Sequence, residues 1–205
     1  GQAFRRIALS CLEHLQQNHA GALTSEDPEY IHQMRVATRR LRAAQRLFAP
    51  VLPGRFANAL RHPLSALMQQ LGLARDLDVL LTEIANPVLC ALPNEPRLPA
   101  LAGDITNRRY AARAQAIALL AAPGYGLTLL TALESLSGAP ADDPPAAALL
   151  DFAAERLRRL RRKLKRLAAA ANIDDPASLH ALRIGVKRMR YALEFFSPLA
   201  PRRPL

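Results

Sequence analysis

An all-α fold built from two related helical halves is what this 205-residue sequence predicts. Three observations carry the prediction. Ala, Leu and Arg fill long segments with helical periodicity, while β-branched residues are sparse and no run alternates as a strand would. The prolines gather at the connections, at Pro50 and Pro53, Pro93 to Pro99, Pro140 to Pro145 and Pro198 to Pro204. Finally, one 24-residue segment recurs without a gap.

In chain order the periodicity predicts helices over 2–20, 28–49, 54–72, 75–91, 98–121, 125–137, 146–171 and 177–197. Pro63 is expected to kink or split the third and Pro87 to shorten the fourth. Short connections imply antiparallel neighbours. The chain reads as one domain over 1–205, with a first helical half over 1–137 and a second over 146–205.

The recurring segment is DPEYIHQMRVATRRLRAAQRLFAP at 27–50 and DPASLHALRIGVKRMRYALEFFSP at 175–198. At a constant offset of 148, Asp27/Asp175, Pro28/Pro176, His32/His180, Arg35/Arg183, Arg40/Arg188, Arg42/Arg190, Phe48/Phe196 and Pro50/Pro198 are identical. Each copy opens with a start signal, an Asp able to cap and a Pro at the first helical position, where its missing N–H costs nothing. At about 100° per residue, His32, Arg35, Arg39, Arg42 and Arg46 share an arc of about 80°. Met34, Ala37, Leu41, Ala44 and Phe48 lie on the other side as a core face. In the second copy His180, Arg183, Lys187 and Arg190 occupy the cationic arc, with Glu194 in place of Arg46. Arg40 and Arg188 sit on its flank, and Tyr191 lies beside it. Like charges one turn apart cost a few tenths of a kcal/mol each, so a duplicated row with almost no acids points to a ligand. Arginine forks match phosphate oxygens, and a row about 16 Å long suits a linear polyanion.

Charge elsewhere is segregated in the same sense. Residues 67–155 hold five bases against ten acids, and the rest of the chain holds the other 23 bases against 7 acids. The run RLRRLRRKLKR at 156–166 carries eight bases in eleven residues, above a narrow leucine stripe that reads as core. Arg159, Lys163 and Arg166 form one row with Arg162 beside it, and they are expected to be a second wall of the same basic surface. The implied partner class is a polyanion.

Other classes are excluded by absence of their residues. No Walker loop, nucleophile elbow or paired catalytic carboxylates occur. The polar cluster Arg75, Asp76 and Asp78 in LGLARDLDVLL reads as the first turn of a helix, where acids favour the dipole, ahead of a catalytic role. Metal at His32 or His180 is disfavoured because their helical neighbours are Arg35 and Arg39, or Arg183 and Lys187, so a metal-dependent phosphohydrolase ranks last. A histidine contacting phosphate is expected instead. No cofactor is expected. The most apolar stretch, 114–122, falls well short of the roughly 20 residues of a membrane span, so no membrane partner is expected. Arg5 and Arg6 lead into an amphipathic pattern, so no signal peptide is expected. Cys11 and Cys90 stand apart and fit two buried thiols in the cytoplasm.

The doubled H-x-x-R-[VI]-x-x-[RK]-R-[LM]-R, with DP five residues before each His, resembles the CHAD domain, the conserved histidine α-helical domain. LGLARDLDVLL and Asn18 match the same pattern, and the resemblance covers essentially the whole chain. It implies two helical bundles related by a pseudo-twofold axis around a shared basic groove. It also implies non-catalytic binding of inorganic polyphosphate at polyphosphate granules, beside granule proteins or a CYTH-type domain. By position the ligand-facing residues are His32, Arg35, Arg39, Arg40 and Arg42, then His180, Arg183, Lys187, Arg188 and Arg190. Arg46 joins them from the stripe, and Arg159, Arg162, Lys163 and Arg166 from the basic run. Single-stranded RNA or DNA is the alternative ligand, opposed by the scarcity of stacking aromatics near the repeats. The family usually continues after the second repeat with helices bearing another LG-x-x-x-D-like segment. This sequence stops at Leu205, so an incomplete second bundle, or an oligomer that covers it, is expected.

Overall fold

The computed structural model describes residues 1–52, 54–137 and 146–199, and their side chains except at 54–59, 61 and 146. The expected proline connection at 140–145, Pro53, Pro201 and Pro204 lie outside the described residues. Among those described there is no strand. The helices are α1 (Gln2–Thr24), α2 (Pro28–Phe48), α3 (Gly54–Val79), α4 (Asn86–Ala91), α5 (Leu98–Ala121), α6 (Pro123–Ser137), α7 (Ala146–Ala169) and α8 (Pro176–Phe196).

The two repeat helices start and end alike. Asp27 Oδ1 accepts from the Glu29 N–H at 2.8 Å, and the Asp175 carboxylate accepts from Ala177 and Ser178 at 3.0 and 3.2 Å. A 3-10 turn follows each, at Ala49–Val51 and Ser197–Leu199, where Pro50 and Pro198 forbid further α-helix.

The expected break at 72–75 is absent. α3 is a single helix that passes through Pro63 and Gly72 and continues through a wide π-type turn, Leu80–Ala85, into α4. Gly72 is therefore no stop signal. A Cβ there would lie 3.0 Å from Arg35 Nη1, which donates to the Gly72 carbonyl, so glycine clears an approach rather than ending a helix. Arg75, Asp76 and Asp78 consequently occupy the last turns of α3, not a first turn, and tertiary contacts decide their roles. Pro87 stands in the first turn of α4, a tolerated position.

The chain divides into two compact units. One comprises Leu9–Leu41 and Pro53–Gly138. Its core is built from Leu15, Ile31, Met34, Leu41, Leu71 and Leu120, all essentially sealed from solvent. α3 packs against α5 and α6. The buried Thr38 hydroxyl returns to the Met34 carbonyl at 2.9 Å, so its polarity costs little. Asp78, 4% exposed, accepts from Arg109 Nε at 2.6 Å and ties α3 to α5. Arg113 is also buried and donates to the Ser25 carbonyl.

The other unit comprises Gly1–Ala8, Arg42–Leu52 and Ala139–Leu205. Its core is aromatic. Phe48 lies 5.8 Å from Phe4, 5.4 Å from Phe152 and 5.8 Å from Phe196, centroid to centroid. Identical positions of the two repeats thus meet. α7 and α8 pack together, and Gly185 makes room for Leu164 and Leu167. The apolar face of α8 is less covered than its counterpart: Thr38 is fully buried whereas its equivalent Val186 is 50% exposed.

Of the two thiols, Cys11 is buried as expected, but Cys90 is exposed, because short α4 buries none of its residues. No single described helix is long and apolar enough to cross a membrane; α5 and α6 reach that composition only together, across a 55° bend.

Removing one partner of a buried ion pair strands the other charge, at a cost of about 3–5 kcal/mol. Asp78→Ala is therefore expected to lower the unfolding free energy by about that amount. Asp78→Leu combined with Arg109→Met should recover most of it, measured by urea titration.

Candidate functional site

In the first unit the cationic arc begins at His32. Its Nδ1 is buried with no hydrogen-bond partner. Burial holds its pKa below the ordinary 6.5; Glu29 opposes this, while Arg75, Arg39 and Arg35 push further down. His32 is thus mainly neutral at pH 7 inside a cationic cluster. Arg75 is a member that the sequence reading missed. It comes from α3, its side chain is 23% exposed, and its nearest acid is Glu83 at 3.8 Å. The missed signal was its place four residues after Leu71 and one before Asp76 on a helix that does not break at Gly72.

Arg35 proves to be a brace. Its Nη1 donates to the Gly72 carbonyl at 2.8 Å and to Asp76 Oδ1 at 3.0 Å, locking α2 to α3. One prong of its fork is therefore committed. Arg39 and Arg40 follow on the same helix, both half-buried.

In the second unit lie the end of the first repeat and all of the second. Arg46 is pushed down in pKa by partial burial, then by Arg42 and by Arg188. Cations of both repeats therefore converge at one place within this unit. Arg156, from α7, donates through Nη2 to the Arg46 carbonyl at 3.2 Å, meeting a helix-end acceptor that has no intrahelical donor. Burial and Arg159 lower its pKa, Glu155 opposing. His180, Arg183, Arg188 and Arg190 are exposed on α8, and Lys187 is half-buried. Tyr191 is 6% exposed and stacks 6.2 Å from Phe195, so it packs in the core and offers no platform for a base.

The basic run of α7 is exposed as expected, and Arg159, Arg162, Lys163 and Arg166 line an open depression of about 670 Å³ together with Lys165, which the sequence reading left out. α7 presents Leu164 and Leu167 to Gly185 of α8. Arg162, Lys165 and Arg166 therefore lie on the far side of α7, Arg159 to the side, and Lys163 about 70° from the α8-facing direction.

Among the described residues no group of three His, Cys, Asp or Glu is placed to hold a metal ion. The arrangement offers guanidinium and ammonium donors.

Comparison with known proteins agrees with this architecture. The family model of the CHAD domain matches residues 6–205. The crystal structure of the CHAD domain from the plant Ricinus communis is 38% identical and superposes with a TM-score of 0.81, over 96% of this chain and 65% of that one. The present chain therefore spans slightly less than two thirds of that plant chain. No curated protein matches it. With the matched model spanning nearly every residue and both repeats folded as capped helices, the chain belongs to the CHAD domain family.

Proposed function

We propose that this protein binds inorganic polyphosphate, without catalysis, through the cationic faces of its two repeat helices. The observation that carries the reading is the convergence of Arg42 from the first repeat and Arg188 from the second on Arg46, close enough that both disfavour its charge. Nothing in folding rewards such crowding. A linear chain of phosphates relieves it, with charge-assisted bonds to planar forks and release of condensed counterions.

In this reading the two repeats are symmetry-related copies, and the Phe48–Phe196 contact between identical repeat positions within one unit supports that kinship. His32, Arg39, Arg40, Arg42 and Arg46 face the ligand from the first repeat, and His180, Arg183, Lys187, Arg188 and Arg190 from the second. Arg35 holds the frame while its outer prong faces the anion. The protein acts as a targeting or accessory module at cytoplasmic polyphosphate granules, alongside granule proteins or a CYTH-type domain. Buried Tyr191 weighs against single-stranded RNA or DNA as the principal ligand, because bases find no exposed ring beside the stripe.

Calorimetric titration with long-chain polyphosphate and with single-stranded RNA of equal charge, at two salt concentrations, tests this directly. Polyphosphate is expected to bind more tightly, with affinity falling steeply as salt rises. Arg42→Ala and Arg190→Ala should each weaken it roughly tenfold. Equal affinity for both polymers would reduce the site to a general polyanion surface, and no binding to either would end the proposal.

His32 gives a pH prediction. Its pKa in the unliganded protein lies below 6.5, and a bound polyanion favours the imidazolium. Binding therefore takes up a proton, so affinity rises as pH falls through the ligand-bound pKa and levels off below the unliganded one. Titrations in two buffers of different ionisation enthalpy measure the uptake. His32→Gln is expected to lower it, and an uptake that the substitution leaves unchanged would show that His32 does not meet the ligand.

A further inference from the structure

The α7–α8 pair carries cations on both of its outer sides. Gly185 marks the side of α8 that meets α7, since a Cβ there would lie 2.8 Å from Leu167 Cδ1 and 3.3 Å from Leu164 Cδ1. Counting about 100° per residue from Gly185, Arg183 and Lys187 lie about 160° round the helix, and His180 and Arg190 about 140°. The repeat stripe therefore points away from α7.

The same count on α7, from the direction midway between Leu164 and Leu167, places Arg162 about 170° away, Lys165 and Arg166 about 130°, and Arg159 about 110°. Arg162, Lys165 and Arg166 thus point away from α8, Arg159 points to the side, and Lys163, about 70° from the α8-facing direction, stands at the edge of the face. Two helices, each about 10 Å across with its side chains, separate the two faces. A phosphate held by Arg162 is out of reach of Arg183.

The α7 face is also more than a solvated surface. Its single nearby acid, Glu155, is taken by Arg158 at 2.9 Å and Arg159 at 2.5 Å, and those bonds hold the Glu155 carboxyl below its ordinary pKa. Lys163, Lys165 and Arg166 make no ion pair among the described residues, and Arg162 is attracted to Glu155 only at longer range. With Arg159 they line the open depression of about 670 Å³ noted above. Within two helical turns, Glu155 alone among the ion-paired acids of the described residues offsets the repulsion among these groups, and it is shared by Arg158, Arg159 and Arg162.

We propose that the outward face of α7 is a second polyphosphate-binding surface, independent of the repeat stripe, so that one molecule holds two separate stretches of polyphosphate and cross-links long chains. The inference rests on the polyphosphate reading of the repeats and adds a site to it. It makes the protein a condenser of the polymer, not only a rider on it: each molecule joins two strands, and many molecules build a network.

Short-chain polyphosphate, too short to pass from one face to the other, separates the two sites by calorimetry. The parent protein is expected to bind two short chains. Arg162→Ala/Lys165→Ala/Arg166→Ala should bind one, with the remaining affinity within about twofold of the parent's. Arg183→Ala/Arg190→Ala should lose the other site instead. All five substitutions lie on exposed helix positions where alanine favours the helix, and circular dichroism checks that the fold is kept. With long-chain polyphosphate, light scattering should show large assemblies for the parent at intermediate ratios, dissolving in excess polymer. Both variants should bind the polymer and fail to assemble it.

A single site in the parent, weakened by either variant, would overturn the second surface and leave the first intact. Two sites filled equally well by single-stranded RNA of matched charge would overturn its assignment to polyphosphate. Failure of the parent to bind polyphosphate of any length would overturn the underlying reading together with this one.

Discussion

Like charges repel, and this protein holds rows of them in place by burying the opposite face of the same helices. The cationic arc of α2 is fixed because Ile31, Met34, Leu41 and Phe48 are sealed behind it. That of α8 is fixed through Tyr191, Phe195 and Phe196. Each repulsive i,i+4 pair costs a few tenths of a kcal/mol, whereas each buried aromatic pair contributes about 0.5–1.5 kcal/mol beyond its area. The cluster of Phe4, Phe48, Phe152 and Phe196 therefore outweighs the repulsion beside it. The cations are thus held in place by the core behind them, which on the proposed reading lowers the cost of ordering them around a polyanion.

Arginine serves two purposes here that lysine would serve poorly. Several are fasteners: Arg35 to the Gly72 carbonyl and Asp76, Arg109 to Asp78, Arg113 to the Ser25 carbonyl, Arg156 to the Arg46 carbonyl. Each joins segments distant in sequence by donating from one edge of a planar fork. The same fork, with five donors, keeps others facing outward. Arg35 shows how one residue of a repeated motif becomes structural while its twin does not. Arg35 is pinned by a glycine carbonyl and a carboxylate on α3, and Arg183 stands exposed on α8.

The helices and their faces were legible in the sequence because both are local properties. The Asp-Pro starts, the core stripe through Met34 and Leu41, and the stops at Pro50 and Pro198 all stand where periodicity put them. What was illegible is tertiary. Helices expected over 54–72 and 75–91 are one, and the glycine at 72 answers to the guanidinium of Arg35, 37 residues away in sequence. Asp78 looked like a helix-start acid until Arg109 reached it. Arg75 belongs with His32 for the same reason: the continuity of α3 decides which side of the helix it occupies. The direction of the α7 cations followed from which leucines meet Gly185, and the leucine stripe alone did not reveal what it packs against.

The two repeats, alike in sequence, are unlike in surroundings, and that difference bears on how they meet an anion. His32 has Arg75 near it, an unsatisfied buried ring nitrogen and a braced Arg35, so the first repeat is a rigid, desolvated contact in which each added charge is felt strongly. The second repeat is open: His180, Arg183, Arg188 and Arg190 are exposed, and water screens them from each other. Exposed cations govern capture at a distance, with rates that fall as salt rises, whereas partly buried ones govern how slowly the ligand leaves. On the proposed polyphosphate reading, duplication followed by unequal burial lets one motif do both, the exposed copy gathering the polyanion and the partly buried copy retaining it.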